Sequence, residues 1–172
     1  GLERKGLNML GALPYQKILD TPTMREIKEE VDIDLLYEGT TLDALAEQIL
    51  IGAMRVGAAL NFVKNNTLMI IPGDRDDMIK AVCDLHTGKL KRNCKVAGII
   101  LSGGLMPKEW TLDFLKQSNI STLATKEDTY SIASRIHHIL IKLHPQDTSK
   151  IKTVVDMVEK YIDIEKVLAG LK

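Results

Sequence analysis

Three short, almost wholly apolar runs constrain this chain more than any other feature. They are Thr67-Leu68-Met69-Ile70-Ile71, Val96-Ala97-Gly98-Ile99-Ile100-Leu101 and Ile120-Ser121-Thr122-Leu123-Ala124. Such runs suit strands buried on both faces, and a strand of that kind needs a packed layer on each side of its sheet. Between and after them lie Asp76–His86, Pro107–Gln117 and Asp128–Leu143. Each carries apolar residues at i, i+3, i+4 and i+7, the pattern of an amphipathic helix. Strands and helices alternating through short loops imply right-handed parallel βαβ units, so the expected class is α/β, with helices packed on a parallel sheet.

The flanking segments are less regular. Leu7–Pro14 is an apolar run closed by proline and reads as a buried strand. Thr21 caps a helix that has Pro22 in its first turn and Met24, Ile27 and Val31 on one face. Ile33–Tyr37 reads as a strand, and Leu42, Leu45, Ala46 and Ile49 recur on one helical face. Gln48–Ala53 fits equally well a strand that leads into a helix through Asn61 and Phe62. Past His144-Pro145, Thr148–Lys160 and Ile164–Leu171 read as two further helices. Thr148 or Ser149 caps the first, and Ile151, Val154, Val155 and Val158 line one of its faces.

At 172 residues the chain has the size of one ordinary domain. Its apolar runs stop far short of the roughly 18–20 residues of a membrane helix, which excludes a membrane-spanning role. The 23 basic and 23 acidic side chains cancel, which removes the global excess that draws a protein to nucleic acid or anionic lipid. The balance is uneven along the chain: residues 1–50 carry 5 basic and 10 acidic groups, residues 51–100 carry 8 and 4. This suits solvated helix faces or contact between chains. The two cysteines, Cys83 and Cys94, form no C-x-x-C pair, and no secretory signal opens the chain, so a reducing cytoplasm is expected. Cys83 reads as a core residue and Cys94, within a basic stretch, as an exposed one. The chain opens on Gly1 and not Met, so it is expected to start inside a longer polypeptide.

In parallel sheets, ligands bind at the carboxyl ends of the strands. Three loops meet there: Pro72–Asp77, Ser102–Leu105 and Thr125–Tyr130. They present Gly73, Asp74, Arg75, Ser102, Gly103, Gly104, Asp128 and Thr129 as candidate ligand-binding residues. Helix N-termini and close glycine backbone would receive a small anionic metabolite or nucleotide, with Arg75 or Lys126 adding charge. The structural alternative makes the glycines turn formers and Asp76, Asp77 and Asp128 helix caps, with an ion pair from Asp74-Arg75 to Asp128 tying the loops. No phosphate-loop, dinucleotide or H-E-x-x-H motif occurs. His137 and His138 are neighbours that point apart, so no shared metal is expected, and His86 and His144 read as helix-end dipole partners. Ser102 has no neighbouring base in sequence, and Trp110 with Phe114 reads as packing. No catalytic residue, metal or cofactor is assigned.

The order Ile71-Pro72-Gly73-Asp74-Arg75-Asp76-Asp77, then Gly98-Ile99-Ile100-Leu101-Ser102-Gly103-Gly104, then Asp128-Thr129-Tyr130 resembles the DRTGG domain over about residues 40–145. Ser102 stands where the family's name-giving Thr lies and keeps its hydroxyl. That module is found in the middle of long phosphate acetyltransferases, in proteins with CBS domains, and behind P-loop domains similar to dethiobiotin synthetase and cobyrinic acid a,c-diamide synthase. Gly6–Pro14 with Leu19–Thr23 resembles the end of such a P-loop domain. The implied organisation is a tail over residues 1–39, a DRTGG-like domain over 40–145 and C-terminal helices over 146–172. The resemblance implies a non-catalytic regulatory or oligomerising module, a homodimer as first expectation, attached to a metabolic enzyme. The alternatives are a fragment of an ATP-dependent ligase or phosphate acetyltransferase completed outside this chain, and a purely structural dimerisation domain.

Overall fold

In the computed structural model the described residues are 9–92, 94–145 and 147–169, and they divide between two compact units. One unit is residues 21–140; the other joins the segments before Thr21 and after Leu140.

The larger unit holds five strands: β1 Asp34–Tyr37, β2 Gln48–Ile51, β3 Thr67–Pro72, β4 Gly98–Ser102 and β5 Thr122–Ala124. Its helices are α1 Met24–Val31, α2 Val56–Leu60, α3 Asp76–His86, α4 Glu109–Ser118 and α5 Thr129–His137. The sheet order is β1-β5-β4-β3-β2. β2, β3, β4 and β5 run parallel, whereas β1 pairs antiparallel with β5 at one edge. The alternation of side chains along the central strands builds two cores. Met69, Ile71, Ile99 and Leu101 face Met78, Ile79 and Val82 of α3 and Leu115 of α4. Leu68, Ile70, Ile100 and Leu123 face Met24 and Ile27 of α1 and Ile132 and Ile136 of α5. The expected α/β class therefore holds, with an antiparallel edge strand added.

Several elements differ from expectation for identifiable reasons. The cap of α1 is Thr23, not Thr21: Thr23 Oγ1 accepts from Glu26 N–H at 3.1 Å while Glu26 Oε2 accepts from Thr23 N–H at 2.6 Å, a reciprocal capping box. The helix expected from Leu42 to Ile49 does not form. Its carbonyls are already committed, Ala44 O accepting from Met24 N–H (3.1 Å) and Leu42 O from Arg25 N–H (2.8 Å), and Ala46 N–H donates to Pro22 O (2.7 Å). Of the two readings of Gln48–Ala53, the strand is the one realised. The helix expected over Asp128–Leu143 ends at His137; past it Ile139 still packs against the core, while Leu140 is 82% exposed. Cys94, expected on the surface, is buried, with its Sγ 3.8 Å from Val63 O.

In the second unit, α6 Thr148–Tyr161 and α7 Ile164–Ala169 appear where the periodicity places them, with residues 170–172 outside the described ones. The residue preceding α6 is Asp147, so neither Thr148 nor Ser149 is its cap; the Asp147 carboxylate accepts from His144 N–H at 2.8 Å. Lys150 and Met157 are the buried residues of α6, while Ile151 and Val155 of the expected apolar face are exposed. The strand expected over Leu7–Pro14 is not formed in its described part. Met9, Leu10 and Leu13 are exposed, and the only pairing there is an isolated bridge from Gly11 to Ile162; Leu7 and Asn8 lie outside the described residues.

Candidate functional site

The loops that follow β2, β3, β4 and β5 stand side by side in strand order, and each is fastened to the next. Between the first pair the fastener is Arg75. Its guanidinium donates to Gly52 O and Met54 O, both at 3.3 Å, and grips the Asp77 carboxylate through Nε (2.8 Å) and Nη2 (3.0 Å). That two-pronged pairing raises the Arg75 pKa and holds Asp77 below the usual carboxylate range. Asp77, and not Asp128, is thus the carboxylate partner of Arg75.

Between the β3 and β4 loops, Gly73 N–H donates to Ser102 O at 3.1 Å. The Leu105 backbone lies directly against Gly73, where a Cβ would sit 1.8 Å from Leu105 O. Asp76 adds a second fastener. It is the first residue of α3, yet it serves α4, accepting from Lys108 N–H at 3.0 Å and Thr111 Oγ1–H at 2.6 Å. The Thr111 hydroxyl foremost, then Lys108, hold its carboxyl below the ordinary range. This bond spans 35 residues of sequence and had no local signal in it.

Between the β4 and β5 loops the fasteners are the two glycines. Gly103 N–H donates to Glu127 O at 2.7 Å and Gly104 N–H to Thr125 O at 3.0 Å. Both glycines have positive φ, +83° and +65°, a conformation L residues avoid. The Ser102 hydroxyl, fully buried, shares a 2.8 Å hydrogen bond with the Thr129 hydroxyl. Asp128 caps α5 as its residue type predicts, accepting from Tyr130 N–H (2.9 Å), Ser131 N–H (3.0 Å) and Ser131 Oγ–H (2.5 Å). The Ser131 hydroxyl and amide hold the Asp128 carboxyl down.

All eight candidate residues therefore gather on one edge of the sheet, but most of the donors expected to receive an anion already meet acceptors of the protein. The Gly103 and Gly104 amides face backbone carbonyls, Arg75 is occupied, and carboxylates sit at the starts of α3, α4 and α5. Asp74 is exposed beside Arg75. Lys126 is exposed next to Gly104, its Cα 3.6 Å from where a Gly104 Cβ would be, and among the described residues no polar partner meets its side chain. Leu105 and Met106, 48% and 54% exposed, extend the same edge. No histidine, lysine or carboxylate approaches the Ser102 hydroxyl within hydrogen-bond distance among the described residues, so it lacks the base a nucleophile needs. Among those residues no group of three or more His, Cys, Asp and Glu side chains is placed to hold a metal ion, and no helix is long and apolar enough to cross a membrane.

The two glycines share one expectation. A Cβ on Gly103 meets nothing within 4 Å, and one on Gly104 meets only ordinary contacts with Lys126. Gly103→Ala and Gly104→Ala should each cost about 1–2 kcal/mol of backbone strain, read as a parallel loss in chemical denaturation.

Away from this edge, His86 is not the charged dipole partner its helix-end position implies. It is buried, and its Nδ1 accepts from Val96 N–H at 3.1 Å, which fixes the neutral ring; burial foremost, with Lys95 nearby, pushes its pKa down to about 4. Burial likewise pushes the Cys83 thiol up to about 11, leaving it inert as a nucleophile.

The sequence profile of the DRTGG domain matches residues 26–139. Phosphate acetyltransferase of Nitratidesulfovibrio vulgaris is 30% identical over 159 residues, 88% of this chain and 22% of that protein. Phosphate acetyltransferase of Synechocystis sp. is 29% identical over 167 residues, 95% of this chain and 24% of that protein. The chain thus spans less than a quarter of the length of these curated relatives. Among solved structures, the CBS and DRTGG domains of the regulatory region of Clostridium perfringens pyrophosphatase, complexed with the activator diadenosine tetraphosphate, align with a TM-score of 0.55. The identity is 16%, over 80% of this chain and 60% of that one. That likeness shows the shared fold.

Proposed function

The chain belongs to the DRTGG domain family, and from that membership we propose that it is a non-catalytic regulatory module of a larger cytoplasmic metabolic protein, a homodimer that responds to a small anionic metabolite or nucleotide. The observation that carries this reading is the fastened edge. Each strand-end loop is hydrogen-bonded to the next, from Gly52 through Arg75, Gly73, Ser102 and Gly103 to Glu127. A ligand that shifts one loop shifts its neighbours, which is what a sensor requires and a catalytic centre does not.

The residues proposed for the ligand are Gly73, Asp74, Arg75, Ser102, Gly103, Gly104, Asp128 and Thr129, with Lys126 supplying the uncommitted positive charge. A phosphate approaching the exposed Gly103-Gly104 turn meets Lys126 first, since Arg75 is held by Asp77, Gly52 and Met54. The attached enzyme is proposed as a phosphate acetyltransferase, or a P-loop protein of the dethiobiotin-synthetase or cobyrinic acid a,c-diamide synthase type. The relatives named above support the former. The regulatory context and nucleotide activator of the pyrophosphatase structure support a nucleotide as the ligand class.

Thermal-shift titration of the 172-residue chain with ATP, diadenosine tetraphosphate, acetyl-CoA and acetyl phosphate tests the reading. A ligand at about 100 times its dissociation constant adds roughly 2.7 kcal/mol, and the melting temperature rises accordingly. Lys126→Ala should leave the unliganded melting temperature in place and weaken the shift. Silence from all four ligands would favour the structural alternative, a dimerisation domain without a ligand.

A further inference from the structure

The sheet has two edges, and they are not protected alike. β1 begins on the charged Asp34, changes register between Leu35 and Tyr37, and is anchored by Tyr37 Oη–H donating to Lys116 O and Asn119 Oδ1 at 3.1 and 3.0 Å. Charge, irregular register and anchoring are the devices by which natural proteins stop a free edge from pairing. β2 has none of them. It reads Gln48-Ile49-Leu50-Ile51, without charge, proline or bulge, and holds unbroken register with β3.

The outward groups of β2 follow from the pairing. Gly52 N–H donates to Ile70 O at 2.8 Å, so Leu50 and Gly52 direct their backbone groups at β3, and the alternate residues Ile49 and Ile51 direct theirs away from the sheet. No partner among the described residues meets them.

We propose that two copies of this chain associate by pairing their β2 strands antiparallel across a two-fold axis centred on Leu50, joining two five-stranded sheets into one. The segment is self-complementary in that arrangement. Ile49 faces Ile51 of the second copy and exchanges both backbone bonds with it, and the reverse pair does the same. Leu50 faces its own equivalent in a non-hydrogen-bonded pair, and Gln48 faces Gly52, where no side chain obstructs it. An isologous contact of this kind closes on itself and yields a dimer with no further open β2 edge. The proposal rests on the reading of the module as self-associating and assigns that role to the β2 edge, which meets the strand-end loops only at Gly52.

The test uses the full 172-residue chain in sedimentation velocity and in a cross-linking assay. The unmodified chain should sediment as a dimer. Ile49→Pro removes an N–H that the fold itself does not use, so it should sediment as a monomer with far-ultraviolet circular dichroism retained. Leu50→Cys places two thiols on strands whose Cα atoms stand about 4.5 Å apart in such a pair, within disulfide reach, so mild oxidation should link the dimer covalently, while Met106→Cys should not. If Ile49→Pro fails to fold, the Leu50→Cys cross-link decides alone. A monomer at every concentration overturns both this proposal and self-association. A dimer that survives Ile49→Pro and never cross-links through Leu50→Cys overturns the β2 assignment while leaving self-association standing.

Discussion

Gly73→Ala should destabilise the chain by about 3 kcal/mol or more, lowering the melting temperature by roughly 6–12 °C for a protein of this size. The cause is not backbone conformation but the absence of room. The added Cβ would sit 1.8 Å from Leu105 O and 2.6 Å from Leu105 C, and both are backbone atoms that no rotamer change can move aside. Relief requires the β4–α4 loop to shift as a body. That loop is held on its far side by the Gly103 and Gly104 amides and at the start of α4 by Asp76, so the displacement breaks those bonds as well. Urea unfolding of Gly73→Ala beside Gly103→Ala gives the comparison: the first should lose clearly more than the second, whose Cβ points into open space. Equal losses would mean that the loops are not fastened as described.

The second large effect concerns acid. The neutral ring of His86 is favoured in the fold, with its pKa pushed down to about 4 from the ordinary 6.5. Above pH 6.5 folded and unfolded chains both hold it neutral, and its contribution to stability is complete. As the pH falls below 6.5 the unfolded chain takes up a proton that the folded chain refuses, so stability drops until the pH passes the folded value. At about 1.4 kcal/mol per unit the loss between pH 6.5 and 4 is on the order of 3 kcal/mol. The depressed carboxylates Asp76, Asp77 and Asp128 act in the same direction, but below their ordinary value of 3.8, so the two windows separate. His86→Asn keeps a carbonyl oxygen to accept from Val96 N–H and removes the titration. Its melting temperature should stay nearly level from pH 7 to 5, where the unmodified chain declines.

The central fold was legible because its signals are local. β3 and α3 lie almost where periodicity puts them, since a run such as Leu68–Ile71 can bury itself only as a strand with a layer on each face. The cap of α1 shows where residue type alone falls short: Thr21 before Pro22 fits a capping position, but Thr23, three residues before Glu26, is the residue that closes the box. What the sequence concealed was set by partners remote along the chain. Leu42–Ile49 carries a helical stripe, but its carbonyls bond the first amides of α1, about twenty residues away, and a tertiary bond of this kind overrides propensity. Cys94 sits among lysines, yet the chain passes over Val63 and buries it.

The candidate site divides in the same way. The strand-end position of its eight residues follows from βαβ topology, and Asp128 as a cap follows from residue type. That Arg75 would grip Asp77 and the carbonyls of Gly52 and Met54, and that Asp76 would serve α4, depends on how adjacent loops stack. The consequence is chemical. Arg75 becomes a fastener of loops, and the free charge of the edge passes to Lys126, the cation beside Gly104.

The most direct test of the sensing role is a two-dimensional nuclear magnetic resonance titration of the uniformly nitrogen-15-labelled chain with diadenosine tetraphosphate. The expected result is a saturable set of amide shifts centred on Gly103, Gly104, Lys126 and Thr129, extending through the fastened loops to Gly73 and Gly52. A spectrum unchanged at saturating nucleotide, or shifts confined to residues away from the strand-end edge, would contradict it.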